Sequence, residues 1–243
     1  MTFNEFLANG FIGHYFPISD SSNTAIIIIA AIVTIVAAYL LGSINFAIII
    51  SGKKYKQDIR DHGSKNAGMT NMMRTYGKKA AGLTLLGDAL KAVVACIIGY
   101  ALLGHLGSYL AGLFCILGHI FPAFYKFKGG KGVVTTAISI LMCDPIVFAI
   151  LITLFIIIVA FTRYISLGSV ICVMLYPILL DRINHFFTGS ATPYAVFAIF
   201  IAILVVIKHW TNIKRLLQGK ESKFSFKKSV KTSEENGNNP EGK

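Results

Sequence analysis

Three polar stretches interrupt an otherwise apolar chain, and each holds residue types that handle anions or protons. The first is DIRDHGSKNAGMTNMMR at 58–74, preceded at the end of an apolar run by Gly42-Ser43. Glycines alternating with small polar residues let backbone N–H groups close on an anion, as nests and phosphate loops do. Arg60 offers a planar fork that matches a phosphate. Ser64, Asn66 and Asn71 stand around it as candidate substrate-binding residues. A turn-rich connection has the same composition, so the residues alone leave both readings open.

The second stretch is GHIFPAFYKFKGGKGVVTT at 118–136. Lys128-Gly129-Gly130-Lys131-Gly132 runs directly into a helix expected from Val133, with Thr135 in its first turn. A helix N-terminus offers unpaired N–H donors and the positive end of the dipole, to which the lysines add full charge. Positive loop charge explains the lysines but not three glycines packed among them. The pattern is not G-x-x-x-x-G-K-[ST] and follows no strand, which argues against a nucleotide triphosphatase.

The third is KHWTNIKRLLQGKESK at 208–223. His209 and Asn212 are spaced i, i+3, so a continuing helix puts them on one face. Histidine exchanges protons near neutrality, although a lone histidine beside Trp210 also serves as an interface anchor. Two weaker sites accompany these. Asp88 and Lys91, again i, i+3, read as a structural ion pair that leaves neither charge alone in an apolar environment. Ser166 and Ser169 either hydrogen-bond a polar ligand or bond back to their own helix.

What must position these stretches is a membrane bundle. Of 243 residues, 55% are hydrophobic and only 14% charged, against about a quarter charged in soluble domains. Mean hydropathy is +0.67. The runs Ala25–Ile50, Leu151–Thr162 and Ala191–Ile207 carry no charge at all. The chain therefore reads as an all-α polytopic membrane protein.

Spans are expected at Ala25–Ile50, Lys79–Leu103, Gly107–Tyr125, Gly132–Cys143, Pro145–Phe161, Ile165–His185 and Thr192–Ile207. The fourth is short, and five crossings with a re-entrant hairpin at 132–161 is the alternative. With seven crossings, 21 of the lysines and arginines fall on one side and Arg182 alone on the other. The positive-inside rule then places the three polar stretches and the C-terminus in the cytoplasm and the N-terminus outside. This divides the chain into an extracytoplasmic segment 1–24, a membrane domain 25–223 and a polar tail 224–243 with the composition of disorder. The net charge of +12 is thus a topology signal, not a nucleic-acid signal. Cys96, Cys115, Cys143 and Cys172 stand singly in apolar stretches, as small buried hydrophobes do, and no metal-ligand pattern is present.

Read in order, YLLGSINFA, DIR-x2-GS-x-N-x-G-x-TN-x2-R, GH-x-FP-x-F-x2-FKGGKGV-x-T and H-x2-NI-x-RLL-x-G-x-E-x-K resemble the bacterial acyl-phosphate:glycerol-3-phosphate acyltransferase family, PlsY. The resemblance runs from about Tyr39 to Lys223. It implies essential roles for Ser43 and Arg60, a glycerol phosphate site at Gly129, Gly130 and Gly132 with Lys128 and Lys131, catalytic roles for His209 and Asn212, and a structural role for Glu221. It also implies transfer of a fatty acyl group from a long-chain acyl phosphate to the sn-1 hydroxyl of glycerol 3-phosphate, giving lysophosphatidic acid as the first step of phospholipid synthesis. No cofactor is called for, because a mixed anhydride carries its own good leaving group. The implied setting is the bacterial cell membrane, with membrane lipids and an acyl-phosphate-producing phosphate acyltransferase as partners. Lys65 and Met69 stand where the family pattern has glycine and alanine, and GSINFA replaces GSIPFG. A transporter for a phosphorylated solute is the competing class, but transport needs polar groups deep in the spans, where little stands besides Asp88 and Lys91.

Overall fold

The computed structural model describes residues 3–16 and 23–224. The tail expected to be disordered lies, apart from Phe224, outside the described residues. All regular structure within them is helical: α1 (Phe3–Tyr15), α2 (Thr24–Ser43), α3 (Phe46–Tyr55), α4 (Met69–Tyr76), α5 (Lys78–Ile120), α6 (Val133–Cys143), α7 (Pro145–Thr162), α8 (Ile165–Thr188), α9 (Ala195–Lys208) and α10 (Trp210–Leu217).

Local chemistry sets the breaks. The run expected as one span over Ala25–Ile50 is interrupted at Ile44–Asn45, where the Asn45 side chain accepts the Ile48 N–H at 3.1 Å and caps α3. Asparagine is among the strongest N-cap residues, so the departure from the family's proline here keeps a helix start. Pro145 opens α7, a position where its missing N–H is no loss. Gly189 ends α8 with φ +73, the left-handed conformation glycine adopts freely.

The 43-residue α5 is not a straight rod. Leu103 and Gly104 leave helical geometry, Gly104 at φ +58. Lys91 Nζ lies 2.9 Å from His119 Nδ1, although a separation of 28 positions along a straight helix would place them about 42 Å apart. The element is a hairpin with two antiparallel legs. Gly99 and Gly107 let the legs meet backbone to backbone, since a Cβ on either would collide with the other's carbonyl. At this turn the Cα of Gly10 in α1 packs on Leu103 and Gly104.

Four segments among the described residues are long and apolar enough to cross a membrane, and α9 with α10, bent by 59°, makes a fifth. The count of seven expected from the sequence depends on separating the two α5 legs and on α6. With 11 residues, α6 is about 16 Å long, half the thickness of a hydrocarbon core.

The second α5 leg is the central post. Ala38, Ala92, Ala95, Ala111 and Cys115 form a small-residue seam between it, the first leg and α2, the composition that lets helices approach in lipid. On its other side Ile116, Ile140, Val173, Tyr176 and Val205 join α5, α6, α8 and α9. Apolar side chains facing outward, such as Ile29 and Val36 of α2 and Ile156 and Phe161 of α7, suit lipid. All four cysteines are free. At the far end of α6, Asp144 accepts hydrogen bonds from Tyr109 Oη at 2.6 Å and Tyr176 Oη at 3.3 Å.

Candidate active site

The three polar stretches gather at the end of the bundle opposite the α5 turn, but they do different things there. In the first, and in Ser43 ahead of it, several key polar groups are already occupied. Ser43, fully buried, donates to the Tyr39 carbonyl at 2.8 Å and accepts the Ala123 N–H at 3.2 Å. The Arg60 fork grips the Asp58 carboxylate through Nε and Nη2, at 3.0 and 2.7 Å. Its Nη1 donates to the carbonyls of Tyr125 and Lys128. Arg60 therefore clamps the first stretch to the second, with its fork engaged by Asp58 rather than standing free. The Asn71 amide donates to the carbonyls of Ile59, His62 and Asn66, while its oxygen accepts the Ser64 N–H. Lys65 takes φ +58, so this lysine holds the left-handed conformation that the family's glycine would supply.

The glycine loop also differs from expectation. The N–H groups of Gly129 and Gly130 are not free; they donate to the carbonyls of Ile120 and His119 at 3.2 and 3.1 Å. They close the end of α5, whose last carbonyls would otherwise lack partners. A Cβ on Gly130 would strike His119 Nε2 and the Ala67 carbonyl, so glycine is required there by protein packing. Lys128 contributes its carbonyl to Arg60. Thr135 donates back to the Gly132 carbonyl at 2.9 Å.

What opens is a cavity of about 430 Å³ bounded by all three stretches. Its polar walls hold Ser64, Asn66, Asn71, Lys131 and Gly132 on one side and Ser166, His209, Asn212 and Glu221 on the other. Ser43, Arg60, Lys128, Gly129, Gly130 and Thr135 do not line it. Ser169 faces the adjoining apolar pocket and bonds back to the Ile165 carbonyl at 2.8 Å. The cavity continues between α6 and α7 along Val133, Ala137, Phe148, Ile152 and Phe155, which also line that pocket.

Glu221 ties the third stretch together. Its Oε1 accepts from Ser166 Oγ at 2.8 Å and Asn212 Nδ2 at 2.6 Å, and Oε2 accepts from Arg215 Nε at 3.0 Å. Burial pulls this carboxyl up, but these hydrogen bonds and the Arg215 charge outweigh it and leave it lowered. Lys131 Nζ donates to Asn212 Oδ1. Lysine only donates and carboxylate only accepts, so the orientation of the Asn212 amide is forced. Burial holds Lys131 down at about 8, with the charges of Arg215 and Arg74 acting the same way and Glu221 opposing them.

The helix does not continue straight through His209, as the sequence suggested; it bends there by 59°. Asn212 still donates its N–H to the His209 carbonyl at 2.9 Å, so both stay on one turn. His209 is 2% exposed, and its Nδ1 lies 2.8 Å from the Val205 carbonyl. A carbonyl only accepts, so Nδ1 carries the hydrogen and Nε2 is the acceptor. The orienting group that the sequence does not reveal is thus backbone. Burial lowers this histidine to about 4, which keeps it neutral at physiological pH.

The cavity holds residues that the sequence did not single out as site residues. Arg74, visible only as the last position of TN-x2-R, lines it with a single long hydrogen bond of 3.5 Å to the Ser222 carbonyl. Asp88 and His119 line its inner end. Lys91 bridges to Asp88 at 2.8 Å, the ion pair expected from their spacing.

The family model described as glycerol-3-phosphate acyltransferase matches residues 32–219. The glycerol-3-phosphate acyltransferase of Finegoldia magna is 42% identical over 192 residues, covering 78% of this chain and 93% of that protein. The one from Thermoanaerobacter pseudethanolicus is 39% identical over 201 residues, covering 83% and 99%. Among solved structures, the glycerol 3-phosphate form of PlsY (YgiH), an integral membrane glycerol 3-phosphate acyltransferase, superposes with a TM-score of 0.72 at 34% identity, covering 80% of this chain and 96% of that one. Its lysophosphatidic acid form gives 0.70 at 33% identity, covering 81% and 96%. With most of each relative's length matched and one cavity joining a cationic end to an apolar groove, this chain belongs to the glycerol-3-phosphate acyltransferase family of integral membrane enzymes.

Proposed function

We propose that this enzyme transfers a long-chain acyl group from acyl phosphate to the sn-1 hydroxyl of glycerol 3-phosphate, releasing lysophosphatidic acid and inorganic phosphate. The observation that carries this is the single cavity in which Lys131, Arg74, Asn212 and His209 meet an apolar groove along Val133, Ala137 and Phe155. Two phosphates find cations and amide donors at one end, and an acyl chain finds apolar walls at the other. Ser64, Asn66, Ser166 and Gly132 complete the polar walls. Arg60, Ser43, Asn71, Thr135 and the Gly129–Gly130 pair hold those walls in place.

His209 is neutral and presents an acceptor nitrogen, which suits holding the attacking hydroxyl. A group held near 4 is a weak base at pH 7, where general-base efficiency favours a matched pKa. The proton therefore passes to an oxygen of the departing phosphate, which leaves with the electron pair of the broken anhydride bond. No cofactor or metal is needed for this step. The active end faces the cytoplasm of a bacterial cell, where an acyl-phosphate-producing phosphate acyltransferase delivers the donor. Seven crossings, with the N-terminus outside and the C-terminus inside, are supported by the 21-to-one charge asymmetry.

Purified protein supplied separately with acyl phosphate, acyl-CoA and acyl carrier protein thioester tests the donor. Turnover with acyl phosphate alone is expected. Turnover with acyl-CoA but not acyl phosphate overturns the assignment.

A further inference from the structure

At the inner end of the cavity the two legs of α5 and the end of α2 meet around one buried ammonium. Lys91 Nζ donates to the carbonyls of Gly42 and Ile44, at 3.0 and 2.7 Å, the two residues flanking Ser43. It lies 2.8 Å from Asp88 Oδ1 and 2.9 Å from His119 Nδ1. Lys91 and His119 are each 4% exposed and Asp88 is 1% exposed. An ammonium has three hydrogens and only donates: two go to the Gly42 and Ile44 carbonyls and the third meets His119 Nδ1. Asp88 Oδ1, 3.5 Å from Nδ1, makes ion-pair contacts without a hydrogen bond. Nδ1 therefore accepts, and the hydrogen of this ring sits on Nε2. That Nε2 lies beside the Cα of Gly130, and His119 lines the cavity. No protein acceptor for it is found among the described residues. Structural need accounts for Lys91 and Asp88, but it does not account for a histidine whose tautomer is fixed so that its N–H is left over.

We propose that His119 is a catalytic residue whose Nε2–H stabilises the oxyanion of acyl transfer, with Lys91 and Asp88 as its positioning residues. The hydroxyl oxygen of glycerol 3-phosphate attacks the acyl carbon, and the carbonyl π pair moves onto its oxygen, which takes the negative charge. The carbonyl then re-forms, the bond to the phosphate oxygen breaks with its electron pair, and the hydroxyl proton goes to that phosphate. Only the first of these movements creates charge on the carbonyl oxygen. A fixed donor in a water-poor site stabilises that charge without reorganising, and removing one such donor elsewhere costs about 10²–10³-fold in kcat. Nearby apolar walls, Leu85, Ala137 and Ile138, suit the start of an acyl chain bound with its carbonyl at this depth.

The inference rests on acyl transfer itself and takes only its probe from the acyl phosphate assignment. Wild-type turnover is therefore measured first, and the donor that supports it is used throughout. A wild type inert with acyl phosphate counts against the donor assignment alone. In detergent-purified protein of unchanged Tm, H119A is expected to lose about 10²–10³-fold in kcat with KM for glycerol 3-phosphate within about threefold. H119Q, which retains an N–H, is expected to recover at least tenfold of that loss. A non-hydrolysable long-chain acyl phosphonate labelled with ¹³C at its carbonyl should show a lower C=O stretching frequency bound to wild type than to H119A. H119A with kcat within threefold of wild type, or an unchanged carbonyl frequency, overturns the proposal. If H119A fails to fold, ¹⁵N-histidine NMR of the wild type decides: an Nδ1–H tautomer, or no response of Nε2 to the phosphonate, overturns it.

Discussion

The loop at 58–74 and the segment from Lys131 through α10 to Glu221 look alike as composition: both mix cations, amides and small residues. Their side chains are deployed in opposite ways. Arg60 commits four of its five N–H groups to Asp58 and two main-chain carbonyls, and the Asn71 amide is filled by main-chain groups. Lys131 and His209 each meet one protein partner and Asn212 two, which fix their orientation, and all three still line the cavity. A donor already satisfied builds shape, whereas a donor oriented but not saturated can meet a substrate. The part of the first loop around Arg60 and Asn71 is a frame, while its Ser64, Asn66 and Arg74 turn to the cavity. The second segment is a working face, and substitutions should separate frame from face.

The largest separation is expected at Lys131. Lys131→Ala removes a cation from the cavity wall and should lower kcat/KM about 10²–10³-fold, with Tm nearly unchanged. Measured alongside, Arg60→Lys keeps charge but loses the fork that holds Asp58 and two carbonyls. It should destabilise by about 1–3 kcal/mol and lower activity in step with the folded fraction. Arg60→Lys with wild-type Tm but a raised KM for glycerol 3-phosphate would break the comparison, because it would make Arg60 a ligand.

A smaller effect distinguishes the two regions by pH. Lys131 is held at about 8, so its cation is present below that pH and lost as pH rises through it. The free-enzyme profile of kcat/KM should fall above pH 8, by up to about tenfold per unit, and Lys131→Arg should move that limb upward. His209, at about 4, gains its proton only as pH falls through 4, so it should add no acidic limb between pH 5 and 7. A profile flat to pH 10 would remove Lys131 from the anion site.

The smallest effect is expected at Lys65. It is exposed and already in the left-handed region, so Lys65→Gly should change stability by about 1 kcal/mol or less and leave kinetics unchanged. A tenfold change in KM would show that the lysine side chain, not its backbone conformation, contributes to the site.

Much of this molecule is legible in its sequence because the bilayer leaves few options. Uncharged runs such as Ala25–Ile50 must satisfy their backbone internally in lipid, which favours helix, and the sequential motifs around Arg60, Lys131 and His209 identify the segments that converge. The Asp88–Lys91 pair follows from i, i+3 spacing. Other features depend on contacts between residues far apart in the chain. The fold-back at Leu103–Gly104 that brings Lys91 to His119 is masked by an apolar pattern continuous on both sides. The Val205 carbonyl that orients His209 is a main-chain group, which residue types do not reveal. Sequence therefore determined which segments lie in lipid and which polar residues are available. The tertiary structure alone decided which of them are occupied by protein and which remain open, because hydrogen-bond saturation depends on partners that chain spacing does not specify.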